Sequence, residues 1–314
     1  MTRIIYGAPP SDTPAGGVKV IYRHSESLKT LGIDSAIWHP NDSQFKCTWF
    51  ENAVNTVNIE DLSPTNDFLI IPEIWAPSYV PLLKKLGFRV AIFVQNCYYT
   101  HVNINPDNPR AIEDAYQDAD LILSISKDTS EYLINVFKVP IEKIVLQRYS
   151  IEFNIFQPSN KSKIITYMPR KMSQHSTRVI SALNLLIPQD WKIHALDAMT
   201  EREIASGLGK SIIFLAFSEF EGLPVPPVEA ALSGNIVIGY HGQGGREYWH
   251  EPSFFSVEQG DIQGFIKKVM EKIHQIESNK LDLDLINLAM KKIKIYFSKE
   301  NELKMLANLV KIIG

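Results

Sequence analysis

The chain has 314 residues, 45% of them hydrophobic, and a formal charge of −3 from 32 Lys and Arg against 35 Asp and Glu. Domains run to about 100–200 residues, so this length predicts two domains, each with its own core. The charge balance removes the basic excess expected of a nucleic-acid binder, the distant Cys47 and Cys97 exclude a disulfide framework or a Cys-pair zinc site, and no run of about 18 uncharged apolar residues is present. A four-residue apolar run before Gly7 is too short for a signal peptide, so the expectation is a cytoplasmic protein in a reducing compartment, at most peripheral at the inner face of a membrane.

In chain order, apolar runs of strand length alternate with stretches of helical period. "RIIYG" leads to "VKVIYRHSESLKTLG" and "SAIWHP"; "DFLIIPEI" to "SYVPLLKKLG" and "RVAIFVQN"; "AIEDAYQDA" to "DLILSIS", "KDTSEYLINVFKV" and "KIVLQRYS". Alternation of this kind predicts parallel sheets covered by helices on both faces. At "IEFNIFQPSNKSK", Ile151 to Lys163, Pro, Ser, Asn and Lys cluster as in a linker. A second series follows: "IITYMP", the helix "STRVISALNLL", "WKIHAL", "TEREIASGL", "SIIFLAF", a helix opening at "PPVEAALSG", and "NIVIGYH". From Asp261 onward the apolar spacing is helical, and the last helix starts after Ser298, a candidate cap. The predicted domains are 1–152 and 153–297, with a terminal helix over 298–314.

Several strings resemble functional motifs and fail on their own requirements. "GLGKS", Gly207 to Ser211, has Ile204 where a phosphate-binding loop needs Gly, and it precedes a strand instead of following one. Gly242 and Gly244 open a dinucleotide fingerprint, but Glu247 stands at the third glycine position, where a carboxylate would repel a pyrophosphate; this leaves a dehydrogenase as a minor alternative. Asp118 with Asp120, and Asp282 with Asp284, form DxD pairs that could hold a divalent ion beside a diphosphate, though capping and solvation account for both. The eight histidines show no i, i+4 pairing and no serine lies in a GxSxG elbow, so no metal site and no serine hydrolase is predicted.

"FSEFEGLPVPPVEAALSGNIVIGY" carries the chemistry. An apolar strand, a loop, a short helix with Pro226 or Pro227 in its first turn and Gly234 at its end, and a second strand form a unit whose helix opens at the carboxyl end of the first strand. Open α/β sheets bind ligands at that edge, and unpaired N–H groups in the first helical turn suit a phosphate. Glu229 is placed in that turn and Glu221 on the loop before it, beside Gly222 and Leu223. Carboxylates flanking an anion site suit the hydroxyls of a ribose and a hexose, which describes a nucleotide-diphosphate sugar; they would equally complement the helix dipole.

This stretch resembles the E-x7-E signature of retaining glycosyltransferases with the GT-B fold, family 4 type. Glu221 and Glu229 match the two glutamates, Ala230, Ala231 and Gly234 the helix, and "NIVIG" the strand; "GLPVP" lacks the second loop glycine, and Asn235-Ile236 replaces the common Pro-Val. The resemblance spans nearly the whole chain and implies two Rossmann-like domains with parallel sheets facing across a cleft. It places Gly16 and Gly17 against the donor diphosphate, Arg170 on its phosphates with Lys171 as a second charge, and His241, Gly244 and Gly245 near the donor. The family Lys after the Arg is replaced by His175 and Ser176. His101 is the candidate catalytic histidine and Asn96 a candidate acceptor contact, with "KCTWFENAVNT" and "CYYTHVNINPDNPR" as acceptor-facing segments. The terminal helix is implied to cross back onto the first domain.

The implied activity is retaining transfer of a hexose to a hydroxyl of a glycan or lipid-linked acceptor, as in polysaccharide biosynthesis. Glu221, Arg170 and His101 are the catalytic candidates, and Gly16, Gly17, Arg170, Lys171, Glu221, Gly222, Leu223, Glu229, His241 and Gly244 bind the donor. No cofactor or metal is called for, because cations and amides meet the charge on the leaving phosphate. A nucleotide-sugar binding protein of the same fold without turnover is the alternative, suggested by the missing Lys.

Overall fold

The computed structural model describes residues 2–40, 42, 45–101, 107–280 and 282–314, and only the backbone of 283, 284 and 287. Contacts divide the chain into two compact units, Met1–Ser150 with Lys299–Gly314, and Ile151–Ser298.

The first unit is built on a seven-stranded parallel sheet. Its elements in order are β1 (Arg3–Gly7), α1 (Gly16–Thr30), β2 (Ser35–Trp38), β3 (Thr56–Val57), β4 (Asp67–Pro72), α2 (Ala76–Lys85), β5 (Arg89–Val94), α3 (Ala111–Asp118), β6 (Leu121–Ser124), α4 (Lys127–Phe137) and β7 (Ile144–Leu146). The strands lie in the order β3-β2-β1-β4-β5-β6-β7. Because β1 runs to β2 on one side and β4 takes the other, the strand order reverses between β1 and β4. Helices cover both faces, so the central strands are buried on both sides and consist almost wholly of apolar residues, as in "DFLIIP" and "RVAIFV".

The second unit carries a five-stranded parallel sheet. Its elements are β8 (Ile164–Tyr167), α5 (Ser173–Leu186), β9 (Lys192–Ala195), α6 (Glu201–Lys210), β10 (Ile213–Glu221), α7 (Pro226–Leu232), β11 (Ile236–Gln243), β12 (Phe254–Ser256), α8 (Ile262–Glu277) and α9 (Leu283–Tyr296). The order β12-β11-β10-β8-β9 reverses between β8 and β10. Phe265, Val269 and Ile273 of α8 pack with Leu215, Phe217, Ile238 and Tyr240 in the core, and Phe217 stacks on Phe265 at 4.9 Å.

Local signals set the helix ends. Thr200 and Glu203 form a reciprocal capping box on α6, and Ser126, Asp261 and Asp282 accept a first-turn N–H on α4, α8 and α9. Two of the DxD aspartates have structural duties: Asp282 caps α9, and Asp120 accepts the Val90 N–H and pairs with Lys84 at 2.8 Å; the Asp284 side chain lies outside the described residues. Asn235 is buried; its amide donates to the Leu208 and Ala230 carbonyls and accepts from Ser211, tying the ends of α6 and α7 together.

The last helix, α10 (Lys299–Ile313), belongs to the first unit and packs on α1. Glu302, 2% exposed, anchors it by accepting from Ser27 Oγ, from the N–H and Oγ of Ser150, and from Lys299 Nζ. The Ser298 hydroxyl, directly before α10, donates to the Ile295 carbonyl at 2.9 Å.

Candidate functional site

In the second unit the strand order reverses where β8 and β10 lie side by side, and open parallel sheets bind ligands outside the carboxyl ends of strands at such a point. The chain leaving β8 presents Arg170 and Lys171. β10 extends to Glu221, which makes Glu221 the last residue of the strand and not a loop residue. Lys171 Nζ forms an ion pair with Glu221 Oε1; the side chains are 52% and 18% exposed. Partial burial, and then the charge of Arg170, lower the Lys171 pKa. Arg170 itself is 82% exposed, with Nε 3.8 Å from Asp197 Oδ1.

The backbone around this pair is unusual. Met172, Phe220 and Gln243 are non-glycine residues with positive φ of 46°, 49° and 71°, and the β10–β11 register shifts between Ser218 and Glu221. Each such residue costs on the order of 1–3 kcal/mol, and that cost concentrates at ligand sites. The glycines of "HGQGG" serve this packing. A Cβ on Gly244 would lie 1.8 Å from the Gly222 carbonyl oxygen, and Gly242, at φ 62°, would press on Ser218 and Glu221. Tyr248 closes the loop with a 2.7 Å hydrogen bond from its hydroxyl to the Pro224 carbonyl. Gly222, Gly244 and Gly245 are thus buried in the contact between two loops, Leu223 is buried with them, and His241 Nδ1 accepts from the Gln243 N–H at 3.1 Å.

The short helix behaves differently from its sequence expectation. Pro226 and Pro227 both lie in its first turn, which removes two N–H groups, and the next two, Val228 and Glu229, both donate to the Val225 carbonyl, at 2.9 and 3.1 Å. The first turn of α7 therefore has no N–H left for a phosphate, which corrects the expected anion site. Glu229 is half-buried in that turn. His175 sits edge-on to Tyr240 with ring centroids 5.8 Å apart.

In the first unit, Gly16 and Gly17 open α1 at the β1/β4 reversal. Ala15 offers no side-chain cap, no acidic residue lies in the first turn, and the first helical bond comes from Lys19 N–H to the Ala15 carbonyl, so the amides of Gly16, Gly17 and Val18 precede the helical ladder. A Cβ on Gly16 would meet nothing within 4 Å. His101 Nε2 lies 2.6 Å from the Tyr132 hydroxyl with its ring stacked on Phe137 at 5.5 Å, and Asn96 is buried with Oδ1 accepting the Tyr98 N–H. Of "CYYTHVNINPDNPR", residues 102–106 lie outside the described residues. Sequence reasoning missed Glu73, a buried carboxylate directly after β4; its only signal was an acidic residue ending the apolar run "DFLIIPEI".

Among the described residues no group of three His, Cys, Asp or Glu side chains is gathered as a metal would need, and no helix is long and apolar enough to cross a membrane.

Two parallel sheets in separate α/β units, with the strand orders given above, make the GT-B glycosyltransferase fold. No protein-family model matches the chain. Among proteins of known activity, an alpha-1,6-glucosyltransferase of Actinobacillus pleuropneumoniae serotype 7 (strain AP76) is 24% identical over 298 residues, covering 87% of this chain and 84% of its own. Among solved structures, sucrose-phosphate synthase of Thermosynechococcus elongatus superposes with a TM-score of 0.76 at 12% identity, over 100% of this chain and 99% of its own. HepE of Anabaena, in complex with UDP, does so with a TM-score of 0.75 at 10% identity, over 99% of this chain and 100% of its own.

Proposed function

We propose that this chain is a hexosyltransferase that moves a sugar from a nucleotide-diphosphate sugar to a hydroxyl of a glycan or lipid-linked acceptor, with retention at the anomeric carbon. The observation that carries this reading is the Lys171–Glu221 ion pair at the β8/β10 reversal. It sets a cation and a carboxylate side by side at the sheet edge, the two chemistries that a diphosphate and the hydroxyls of a sugar require. The relatives support it: one is an alpha-1,6-glucosyltransferase, and HepE is known in complex with UDP and with UDP-glucose. An α-linked product drawn from an α-linked donor such as UDP-glucose keeps its anomeric configuration.

In the second unit, Glu221 accepts hydrogen bonds from the transferred sugar and Glu229 from the ribose, while Arg170 and Lys171 meet the charge that grows on the leaving phosphate. In the first unit, the Gly16, Gly17 and Val18 amides supply uncharged donors for a phosphate. Fixed cations and dipoles aimed at developing charge are the largest usual term in such catalysis, and this one calls for no metal ion. With the first turn of α7 lacking free N–H groups, the burden within the second unit falls on Arg170 and Lys171.

Calorimetric titration with UDP, GDP, ADP and dTDP and their glucose conjugates identifies the base, and a radiolabelled donor then follows transfer and hydrolysis. Glu221→Gln is expected to bind the free nucleotide as wild type does and to lose transfer by about 100-fold or more. Full transfer by that variant would remove Glu221 from its role. Binding of a nucleotide sugar without turnover by the wild-type chain, under any acceptor, would favour a binding protein.

A further inference from the structure

The carboxyl edge of the first sheet holds a buried carboxylate that this reading leaves unused. Glu73 follows β4 and is 5% exposed. Its Oε1 accepts the Asn96 N–H at 2.9 Å, and the backbone amides of Glu73 itself and of Gln95 also favour its charged form. Gln95 extends the chain of contacts, since its Nε2 donates to the Gly17 carbonyl at 3.1 Å in the first turn of α1. Pro72 pairs with Phe93 across β4 and β5, and β1 flanks β4 on its other side, so the network crosses the sheet edge at the β1/β4 reversal.

We propose that Glu73 is a positioning residue: its ionised carboxylate holds the Gln95–Asn96 turn, and through Gln95 the Gly16–Gly17 turn, in the arrangement that receives the donor diphosphate, so that donor affinity depends on a single proton. This inference rests on the donor reading of Gly16 and Gly17. An ionised carboxylate is purely an acceptor and suits the Asn96 N–H and the neighbouring amides; protonation turns one oxygen into a donor and weakens the carboxyl's hold on the turn. Burial raises the Glu73 pKa from 4.5 to about 7 against the pull of those amides, which brings the change near neutrality. The titratable groups that sense Glu73 are Tyr116 of α3 and Cys97 after β5. Burial raises both, Cys97 to about 12, so both stay neutral in this range while Glu73 changes charge; Asp128 of α4 acts on Cys97.

The test is the pH dependence of donor KM and kcat with UDP-glucose on the full chain, wild type and Glu73→Gln, from about pH 5.5 to 8.5. If only the ionised form receives the donor, wild-type KM rises ~10-fold between about pH 8 and 6 with little change in kcat. Glu73→Gln, a fixed copy of the protonated form, should keep the high KM at every pH. Hydrogen exchange of the peptide covering residues 89–98 reads the turn directly, and needs only the wild type should the variant fail to fold. Its protection, corrected for the intrinsic rate, should fall through the same pH range. An inflection in KM that persists in Glu73→Gln, or exchange protection that is flat with pH in the wild type, overturns the inference. If no nucleotide sugar binds at any pH, the donor reading and this linkage fall together, whereas a bound donor with a flat KM profile overturns the linkage alone.

Discussion

Replacing Gly16 with alanine separates the protein's own packing from the needs of a bound donor, because the two make opposite demands there. A Cβ at Gly16 meets no heavy atom within 4 Å, and the residue is the first of α1. Alanine at a position whose backbone it can adopt restricts the unfolded chain, for a gain of ~0.4–1 kcal/mol. In a protein of 314 residues that is a rise in Tm of ~0.5–1.5 °C. The folded protein therefore gives no reason of its own for glycine.

A donor diphosphate lying on the first-turn amides does give one, because the methyl group would stand where the phosphate oxygens approach. Loss of one hydrogen bond to a charged group costs ~1.5–3 kcal/mol. That weakens affinity by ~10- to 150-fold. Differential scanning calorimetry and isothermal titration with UDP-glucose, run on the same preparation, measure the two effects independently. A Gly16→Ala protein of equal or higher Tm with undiminished donor affinity would refute the placement of the diphosphate at α1. A fall in Tm would refute the packing argument instead.

Gly244 makes the converse case. Its Cβ would strike the backbone of Gly222 and Glu221, so Gly244→Ala is expected to lose at least ~1–3 kcal/mol in urea denaturation and to displace Glu221, lowering transfer with it. Glu302→Ala strips the acceptor from Ser27, Ser150 and Lys299 in a buried setting, and a loss of ~3–5 kcal/mol by urea melt is expected, with α10 exposed to limited proteolysis first. Asp67 is buried, which raises its pKa, but the two bonds from Arg3 and one from the Ser63 N–H outweigh burial and hold it below its ordinary 3.8. Its folded pKa is thus depressed, so its stabilisation is present above the unfolded value and is lost as pH falls through the folded one. The urea midpoint should decline on acidification below about pH 4, and Asp67→Asn should be less stable near neutrality and decline less on acidification.

The fold was legible wherever burial acts on a run of residues long enough to show its period. Strands such as "FLII", "AIFV" and "SIIFLAF" are apolar throughout because helices cover both faces, and Thr200, Asp261 and Ser126 mark helix starts by chemistry that needs no tertiary context. β3 and β12 were not legible. They have two and three residues, and exist because β2 and β11 offer them an edge to pair with, a property of the partner strands. The strand orders, and hence the two reversals that locate the candidate sites, are likewise set by contacts far apart in sequence.

The candidate site divides along the same line. The spacing of Glu221 and Glu229 and the basic pair after β8 stand in the sequence as strings, and the structure brings Lys171 to Glu221. The prolines between them were misjudged, because whether a first-turn N–H is free depends on where the nearest carbonyl falls, and Val225 takes both of those that Pro226 and Pro227 leave. Glu73 shows the limit most clearly. Nothing in "PEI" distinguishes it from a solvated strand-end acid until β5 and the following turn are laid over it; it then accepts the Asn96 N–H, and burial raises its pKa to about 7. A short motif records groups that face a ligand, whereas a residue that acts by holding other residues in place is defined by its neighbours, and those are assembled only by the fold.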